Sequence, residues 1–277
     1  SVDPAVSIGS RATSCWGCMS CPRIVVSVVS HGQSALVRAL LADIAARCKA
    51  DIRIVLTLNV PEVLPLDISG YSLPIEVIQN EQPKGFGTNH NQAFHQASCD
   101  YFCVVNPDIR LTDDPFDKLV ACLLESGASL AAPVVTNPQG DIEDSARRFP
   151  TPFRIARKVF GSGRHGDYNL PSSPFSPDWT GGMFMLFQSP AFRELGGFDE
   201  RYFLYYEDVD ICARLRLAGH EIVVCPWVSV IHAARRESHH NLQYLKWHFV
   251  SISRFFCSHV FIKLAVRGLL SRRSLPD

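Results

Sequence analysis

Arg23-Ile24-Val25-Val26-Ser27-Val28-Val29-Ser30-His31-Gly32-Gln33-Ser34-Ala35-Leu36-Val37-Arg38-Ala39-Leu40-Leu41-Ala42-Asp43-Ile44 is the stretch on which the fold turns. Its first part, Ile24 to Val29, is a continuous apolar run rich in β-branched residues, as expected of a strand buried on both faces. The spacing then changes. Leu36, Val37, Leu40, Leu41 and Ile44 fall on one face of a helix that Ser34 can cap. A strand feeding directly into a helix predicts the first unit of a parallel sheet.

The same alternation continues outward. Ile52 to Leu58 and Ile75 to Gln79 read as strands, Thr88 opens a helix carrying Ala93, Phe94 and Ala97, and Tyr101 to Val105 reads as a fourth strand. The expected fold is α/β, a mostly parallel sheet flanked by helices, in which ligands sit beyond the carboxyl ends of the strands. Further on, Ser129 to Val135, Met183 to Phe187, Glu221 to Cys225 and Val228 to Ile231 read as strands. Pro190 to Leu195 and Asp208 to Ala218 read as helices, the second ended by Gly219. The Pro/Gly/Ser-rich stretch from Phe149 to Asp178 reads as long loops. From His239 the spacing of Leu242, Leu245, Phe249, Ile252 and Phe256 is helical. Residues 1–22 read as a disordered leader or expression remnant, 23–238 as one catalytic domain (23–110 holding nucleotide, 111–238 holding acceptor) and 239–277 as basic amphipathic helices.

The chain has 277 residues, 47% of them hydrophobic, enough for a sizeable core. Its formal net charge is zero, yet from Ala234 onward eight basic residues face two acidic ones. That tail suggests an anionic surface or substrate, and its confinement to one end argues against a nucleic-acid partner. No apolar run reaches the roughly 18–20 residues of a membrane span, and no charged start leads into an apolar segment as in a signal peptide. The scattered cysteines fit reduced, buried thiols in a cytoplasmic protein. Cys15, Cys18 and Cys21 have metal-like spacing but lack a fourth ligand.

Four constellations carry chemistry. Asn106-Pro107-Asp108 ends the fourth strand; it reads either as a β-turn or as a carboxylate holding a divalent cation against a diphosphate. Trp179-Thr180-Gly181-Gly182 precedes a strand, where paired glycines make a tight turn or let backbone approach a ligand. In Tyr205-Tyr206-Glu207-Asp208-Val209-Asp210 acids favour a helix N-terminus, Asp210 pairs with Arg214, and Asp208 is the candidate general base beside Glu207. His232 ends a strand and is followed by Arg235 and Arg236; it reads as a structural histidine or as the completion of a metal shell begun by Asp108, with the arginines neutralising phosphate.

In this order, and with Gly196-Gly197-Phe198-Asp199-Glu200 and Ser145-Ala146-Arg147-Arg148-Phe149-Pro150, these motifs resemble glycosyltransferase family 2, most closely its rhamnosyltransferase-like branch. The resemblance spans Arg23 to His259. It implies a Rossmann-like GT-A fold and an inverting, metal-dependent transfer from a nucleotide-sugar, with dTDP-rhamnose the branch-level donor, to a hydroxyl of a saccharide or lipid-linked acceptor in cell-surface polysaccharide synthesis. Asp208 would be the base. Asp108 would end the metal-binding motif, with Asn106 at its first position and Mg²⁺ or Mn²⁺ held by Asp108 and His232. Ser30, His31, Asn59, Lys84, Gly85, Phe86 and Asn91 would border the nucleotide. Arg147, Arg148, Trp179, Gly181, Gly182, Arg235 and Arg236 would meet acceptor or diphosphate. Two departures touch nucleotide selectivity: the usual Asp before Asn59 is Leu58, and Gln82-Pro83-Lys84 replaces an expected Asn. The basic aromatic C-terminus suits either an anionic membrane surface at the inner face of the membrane or packing on the catalytic core. The competing readings are a non-catalytic nucleotide-sugar or glycan-binding module and a sugar nucleotidyltransferase. The latter would need a basic, Gly-rich loop where Ser30-His31-Gly32-Gln33 stands.

Overall fold

A computed structural model describes residues 23–62, 70–160, 167–168, 170–233 and 242–271. The leader with Cys15, Cys18 and Cys21, and the pair Arg235 and Arg236, lie outside the described residues. The opening stretch forms β1 (Arg23–Ser30) and α1 (Ser34–Arg47), followed by β2 (Asp51–Leu58), β3 (Ile75–Gln79), α2 (Phe86–Gln96), β4 (Tyr101–Val105) and the short β5 (Ile109–Arg110). Then come α3 (Phe116–Ser126), β6 (Leu130–Thr136), β7 (Ala146–Arg147), α4 (Pro152–Phe160), β8 (Trp179–Thr180), β9 (Phe184–Gln188), α5 (Ser189–Glu194), α6 (Glu207–Ala218) and β10 (Ile222–His232). Helices α7 (Leu242–Phe256) and α8 (His259–Val266) and a short 3-10 turn at Leu269–Ser271 complete the described chain.

Eight strands form one sheet in the order β3-β2-β1-β4-β9-β6-β10-β5, and β7 pairs with β8 in a small second sheet. β1 lies parallel to both β2 and β4, and β6 parallel to β10. β9 is antiparallel to β4 and β6. The cause is topological: the excursion after β6 stays at the carboxyl edge, so β9 enters the sheet from that edge and runs back. Both faces of β1 are covered. Ile24, Val26 and Val28 pack with residues of α1 and α3, while Val25 joins a second core with Phe94, Phe102, Phe187, Phe192 and Phe198. That two-sided burial is why the strand reads as an unbroken apolar run.

Several boundaries differ from the sequence reading. Ser34 is the first residue of α1 and not its cap; Gln33 precedes the helix without a side-chain cap, and its N–H donates to Ser30 Oγ at 3.1 Å. α2 begins at Phe86, two residues before Thr88, because Phe86 N–H finds the Phe203 carbonyl at 2.9 Å. The two short strands at 221–231 are one strand with an irregularity between Cys225 and Ser229. The stretch read as loops contains α4. The expectation of reduced thiols fails at one pair: Cys122 on α3 and Cys225 on β10, brought together where that helix packs on the sheet, form a disulfide. Cys48, Cys99, Cys103, Cys212 and Cys257 are free.

One buried charge ties the first helix to the edge of the site. Asp43 on α1 is 3% exposed and accepts from Arg110 Nε at 2.6 Å, Arg110 Nη2 at 3.1 Å and Leu111 N at 3.0 Å. Arg110 lies on β5, whose other partner is the end of β10 at Ile231 and His232. Burial raises the Asp43 carboxyl, but Arg110, the Leu111 N–H and the charge on Arg47 outweigh it and hold the pKa below the usual value. Asp43→Ala should cost about 2 kcal/mol in urea unfolding at pH 7. That is less than the roughly 3–5 of a fully buried pair, because the Arg110 side chain is 45% exposed. Since the folded pKa is depressed, the gap between wild type and variant should be full above the ordinary Asp value of about 3.9. It should close as pH falls through the folded value. A gap that persists in acid would contradict the assignment.

Candidate active site

Two clefts open at the carboxyl edge of the sheet. The first, about 410 Å³, is walled by His31 after β1, Asn59 after β2, the start of α2, Asn106-Pro107-Asp108 after β4, and Gly182 before β9. A buried amide network shapes it. Asn59 Oδ1 accepts from Lys84 N at 2.8 Å and Asn80 Nδ2 at 2.9 Å, and Asn59 Nδ2 donates to the Lys84 carbonyl at 3.0 Å. Asn80 Nδ2 also reaches Asn89 Oδ1 at 2.7 Å. The loop carrying Lys84 is thus stapled to the strand ends, and the Lys84 ammonium reaches Gln92 Oε1 at 2.8 Å on the exposed side. Phe86 and the buried His90 form part of the floor. Burial drives the His90 pKa down to about 3, so its ring is neutral, with Nδ1 2.8 Å from Ser27 Oγ.

Three residues expected to border the nucleotide have other contacts. Ser30 is buried and holds the β1–α1 turn through Gln33 N. Gly85 packs against the backbone of Phe203. Asn91 is buried away from the cleft: its Nδ2 donates to the Phe198 carbonyl at 2.9 Å and its Oδ1 accepts from Phe198 N at 2.8 Å. It clamps the Gly196-Gly197-Phe198 turn, and Gly197 has no room for a side chain, since a Cβ there would lie 2.2 Å from Asn91 Oδ1.

Asn106-Pro107-Asp108 is a turn, with Ile109 N donating to the Asn106 carbonyl at 3.2 Å, and it also presents a carboxylate. Asp108 Oδ2 lies 3.2 Å from His232 Nε2, and Asp108 Oδ1 is buried with no hydrogen-bond partner among the described residues. On the far side of the ring, His232 Nδ1 is 2.8 Å from Glu143 Oε2. Burial lowers the His232 pKa, but the hydrogen bonds and charges of Asp108 and Glu143 prevail and raise it to about 9. Among the described residues no group of three or more His, Cys, Asp or Glu side chains converges on a metal position. Two donors are what this edge offers once a cation displaces the His232 Nε2 proton, and that suits a cation completed by substrate phosphates and water. The orphaned Asp108 oxygen fits such a role. Two ligand atoms at right angles on a cation, each about 2.1 Å from it, stand about 3 Å apart, close to the observed separation.

Glu207 and Asp208 start α6 and border both clefts. Asp208 Oδ2 accepts from Gly182 N at 3.1 Å and Oδ1 from Val209 N at 2.8 Å. Burial raises the Asp208 carboxyl, while those two N–H groups and the charge on Arg147 pull against it. Burial, then the adjacent Asp208 charge, holds Glu207 well above the usual carboxylate range. The chain reaches α6 through Tyr205 and Tyr206, both left-handed at φ 68°. Such backbone strain in residues with side chains clusters at functional sites. Asp210 pairs with Arg214 at 2.7 Å, as its spacing predicts.

The second cleft, about 320 Å³, holds Arg147, Arg148, Arg154, Trp179 and Tyr205 around the other side of Asp208. The Arg147 guanidinium stacks over Trp179 at 5.3 Å, and Trp179 Nε1 donates to the Arg148 carbonyl at 2.9 Å. Gly181 N donates to the Ser145 carbonyl at 2.8 Å and extends the β7–β8 pairing. The sequence reading missed α7 as a wall of both clefts: Tyr244 and Trp247 line the first, His248 and Ile252 the second. Their helical spacing was the available signal. It missed Glu143 too, which stands 89 residues from His232 and bears no local mark.

Residues 22–249 match the family described as "Glycosyltransferase like family 2". The chain is 27% identical over 269 residues to rhamnosyltransferase WbbL of Escherichia coli K12, covering 91% of this chain and 96% of that protein. It is 31% identical over 166 residues to the N-acetylglucosaminyl-diphospho-decaprenol L-rhamnosyltransferase of Mycobacterium tuberculosis, covering 53% of this chain and 54% of that one. Among solved structures, the mannosyltransferase PcManGT of Pyrobaculum calidifontis with GDP-Man and Mn²⁺ superposes with a TM-score of 0.60 at 16% identity, over 91% of this chain and 70% of that one. GalNAc-T7 with UDP, GalNAc and Mn²⁺ gives a TM-score of 0.62 at 18% identity, over 80% of this chain but only 45% of its own. A mostly parallel sheet with β9 reversed at its centre and β5 reversed at its edge, clefts at its carboxyl edge and a family match across most of the chain converge: the chain belongs to glycosyltransferase family 2 and is a glycosyltransferase with the GT-A fold.

Proposed function

We propose that the first cleft takes a nucleotide-sugar, the second takes the acceptor, and Asp208 between them is the general base of an inverting transfer. The observation that carries this reading is that Asp208, half-buried and held by two backbone N–H groups, borders both clefts. Asp208 removes the proton of the acceptor hydroxyl as its oxygen attacks the anomeric carbon, and the nucleoside diphosphate leaves from the opposite face. A single displacement inverts configuration. Asp108 and His232 would hold a divalent cation, Mg²⁺ or Mn²⁺, which when bound offsets charge developing on the leaving diphosphate.

The relatives favour rhamnose as the donor sugar and a lipid-diphosphate-linked saccharide as acceptor; the family resemblance adds dTDP-rhamnose as the donor and cell-surface polysaccharide synthesis as the setting. The second cleft suits that acceptor. Arg147, Arg148 and Arg154 offer guanidinium groups to a diphosphate, and Trp179 and Tyr205 offer ring faces to a sugar. The helices beside it carry exposed apolar residues: Phe153 on α4, and Leu242, Leu245 and Phe249 on α7, with Lys246 among them. Among the described residues no single helix is long and apolar enough to cross a membrane; α7 and α8 together qualify by length and composition but are bent by 51°. Phe255, Val260 and Leu264 pack this pair into the core of the protein, which favours lying on an anionic bilayer over crossing it.

Asp208→Asn should keep nucleotide binding, read as an unchanged rise in melting midpoint with dTDP and Mn²⁺. Sugar transfer should fall by about a hundredfold or more; near-normal turnover would remove Asp208 as base. In flotation, the chain should rise with phosphatidylglycerol vesicles while Leu245→Glu/Phe249→Glu stays behind. Equal partition of the two proteins would contradict the membrane face.

A further inference from the structure

Glu143 belongs to neither cleft wall, yet the loop that carries it is built to deliver its carboxylate. Asn137 Oδ1 accepts from Gln139 N and Asp141 N, both at 2.9 Å, closing a tight turn after β6. The returning strand pairs back on β6: Ile142 bridges to Thr136, and Glu143 N donates to the Val135 carbonyl at 2.8 Å. This places Glu143 Oε2 2.8 Å from His232 Nδ1. An imidazole has two nitrogens at fixed angles. Once Nδ1 is engaged by Glu143, the ring plane is set and Nε2 must face Asp108, where it lies 3.2 Å from Oδ2. Metal-binding histidines recurrently donate their second N–H to a carboxylate, which orients the ring and strengthens the ligand.

Resting on the reading of Asp108 and His232 as the cation pair, we propose that Glu143 is a positioning residue: its carboxylate, held 2.8 Å from Nδ1, fixes the His232 ring so that Nε2 and the Asp108 carboxylate stand ready as two donors to one divalent cation. Glu143 touches neither donor nor acceptor in this scheme and acts only through His232. The competing view is a plain ion-pair hub, in which Glu143 contributes stability and has no influence on cation affinity.

The test titrates Mn²⁺ into the full chain with saturating dTDP, following free Mn²⁺ by electron paramagnetic resonance. Melting midpoints are measured in parallel without metal. Glu143→Ala should weaken Mn²⁺ binding by about ten- to a hundredfold, approaching His232→Ala, with a metal-free melting midpoint close to wild type. Glu143→Gln, whose amide oxygen can still accept from Nδ1–H, should keep affinity within about threefold of wild type. Wild-type Mn²⁺ affinity in Glu143→Ala would overturn the proposal, as would equal weakening in Glu143→Gln and Glu143→Ala. If the wild-type chain itself binds no Mn²⁺ in the presence of dTDP, the cation pair falls, and this inference falls with it.

Discussion

The hydrogen bond from Gly182 N–H to Asp208 Oδ2, 3.1 Å long, joins the entry of β9 to the start of α6, and both clefts are arranged around it. It is short-range chemistry with long-range consequences. β9 is the reversed strand at the centre of the sheet, so its entry point lies at the same edge as the ends of β1, β2, β4 and β10. At Gly182 a Cβ would crowd the Phe86 ring at 3.3 Å and meet Asp208 Cβ in ordinary contact at 3.6 Å, so the strand entry packs closely on both. The carboxylate is therefore fixed by backbone on one side and by its own helix on the other, facing both clefts; in the proposed reaction the acceptor hydroxyl and the donor sugar approach it from these two directions.

The second dependence runs through α7. The strained turn of Tyr205 and Tyr206 delivers α6 to the site, and α7 grips that turn: Ser251 Oγ donates to the Leu204 carbonyl at 2.8 Å, and the His248 ring meets Tyr205 at 5.3 Å and Tyr206 at 5.8 Å. Trp247 stacks on Phe203 at 4.7 Å beside the first cleft. One helix thus touches both clefts and the segment that positions Asp208, while its exposed side carries Leu242, Leu245 and Phe249 beside Lys246. In the proposed reaction, engagement of a lipid surface and the geometry of the base share the same element.

How far the sequence could be read depended on how local the cause was. β1 and β4 were legible because burial on both faces leaves apolar runs, β2 because the same holds from Ile54 to Leu58, and α6 because Gly219, left-handed at φ 91°, stops it. Asp108, Asp208 and His232 were legible as carboxylates and imidazole at element ends, where the topology gathers them. Asn91 misled because its partner turn at Phe198 is 107 residues away, and nothing local distinguishes a clamp from a ligand contact. The same holds for Glu143, for the Cys122–Cys225 bridge across 103 residues, and for the reversed direction of β9. The amide network in which Asn80 links Asn59 to Asn89 also gives a physical setting to the missing family residues, since here the amides are engaged in holding the Lys84 loop.

The central claim is that one carboxylate between two clefts drives a single displacement. The most direct measurement is the anomeric configuration of the new glycosidic bond, read by nuclear magnetic resonance on product formed from dTDP-rhamnose and a polyprenyl-diphosphate-linked N-acetylglucosamine acceptor. The account predicts a configuration opposite to that of the donor in all of the product. Retention of the donor's configuration would contradict it, because that outcome needs a second displacement and a nucleophile that the shared carboxylate does not supply.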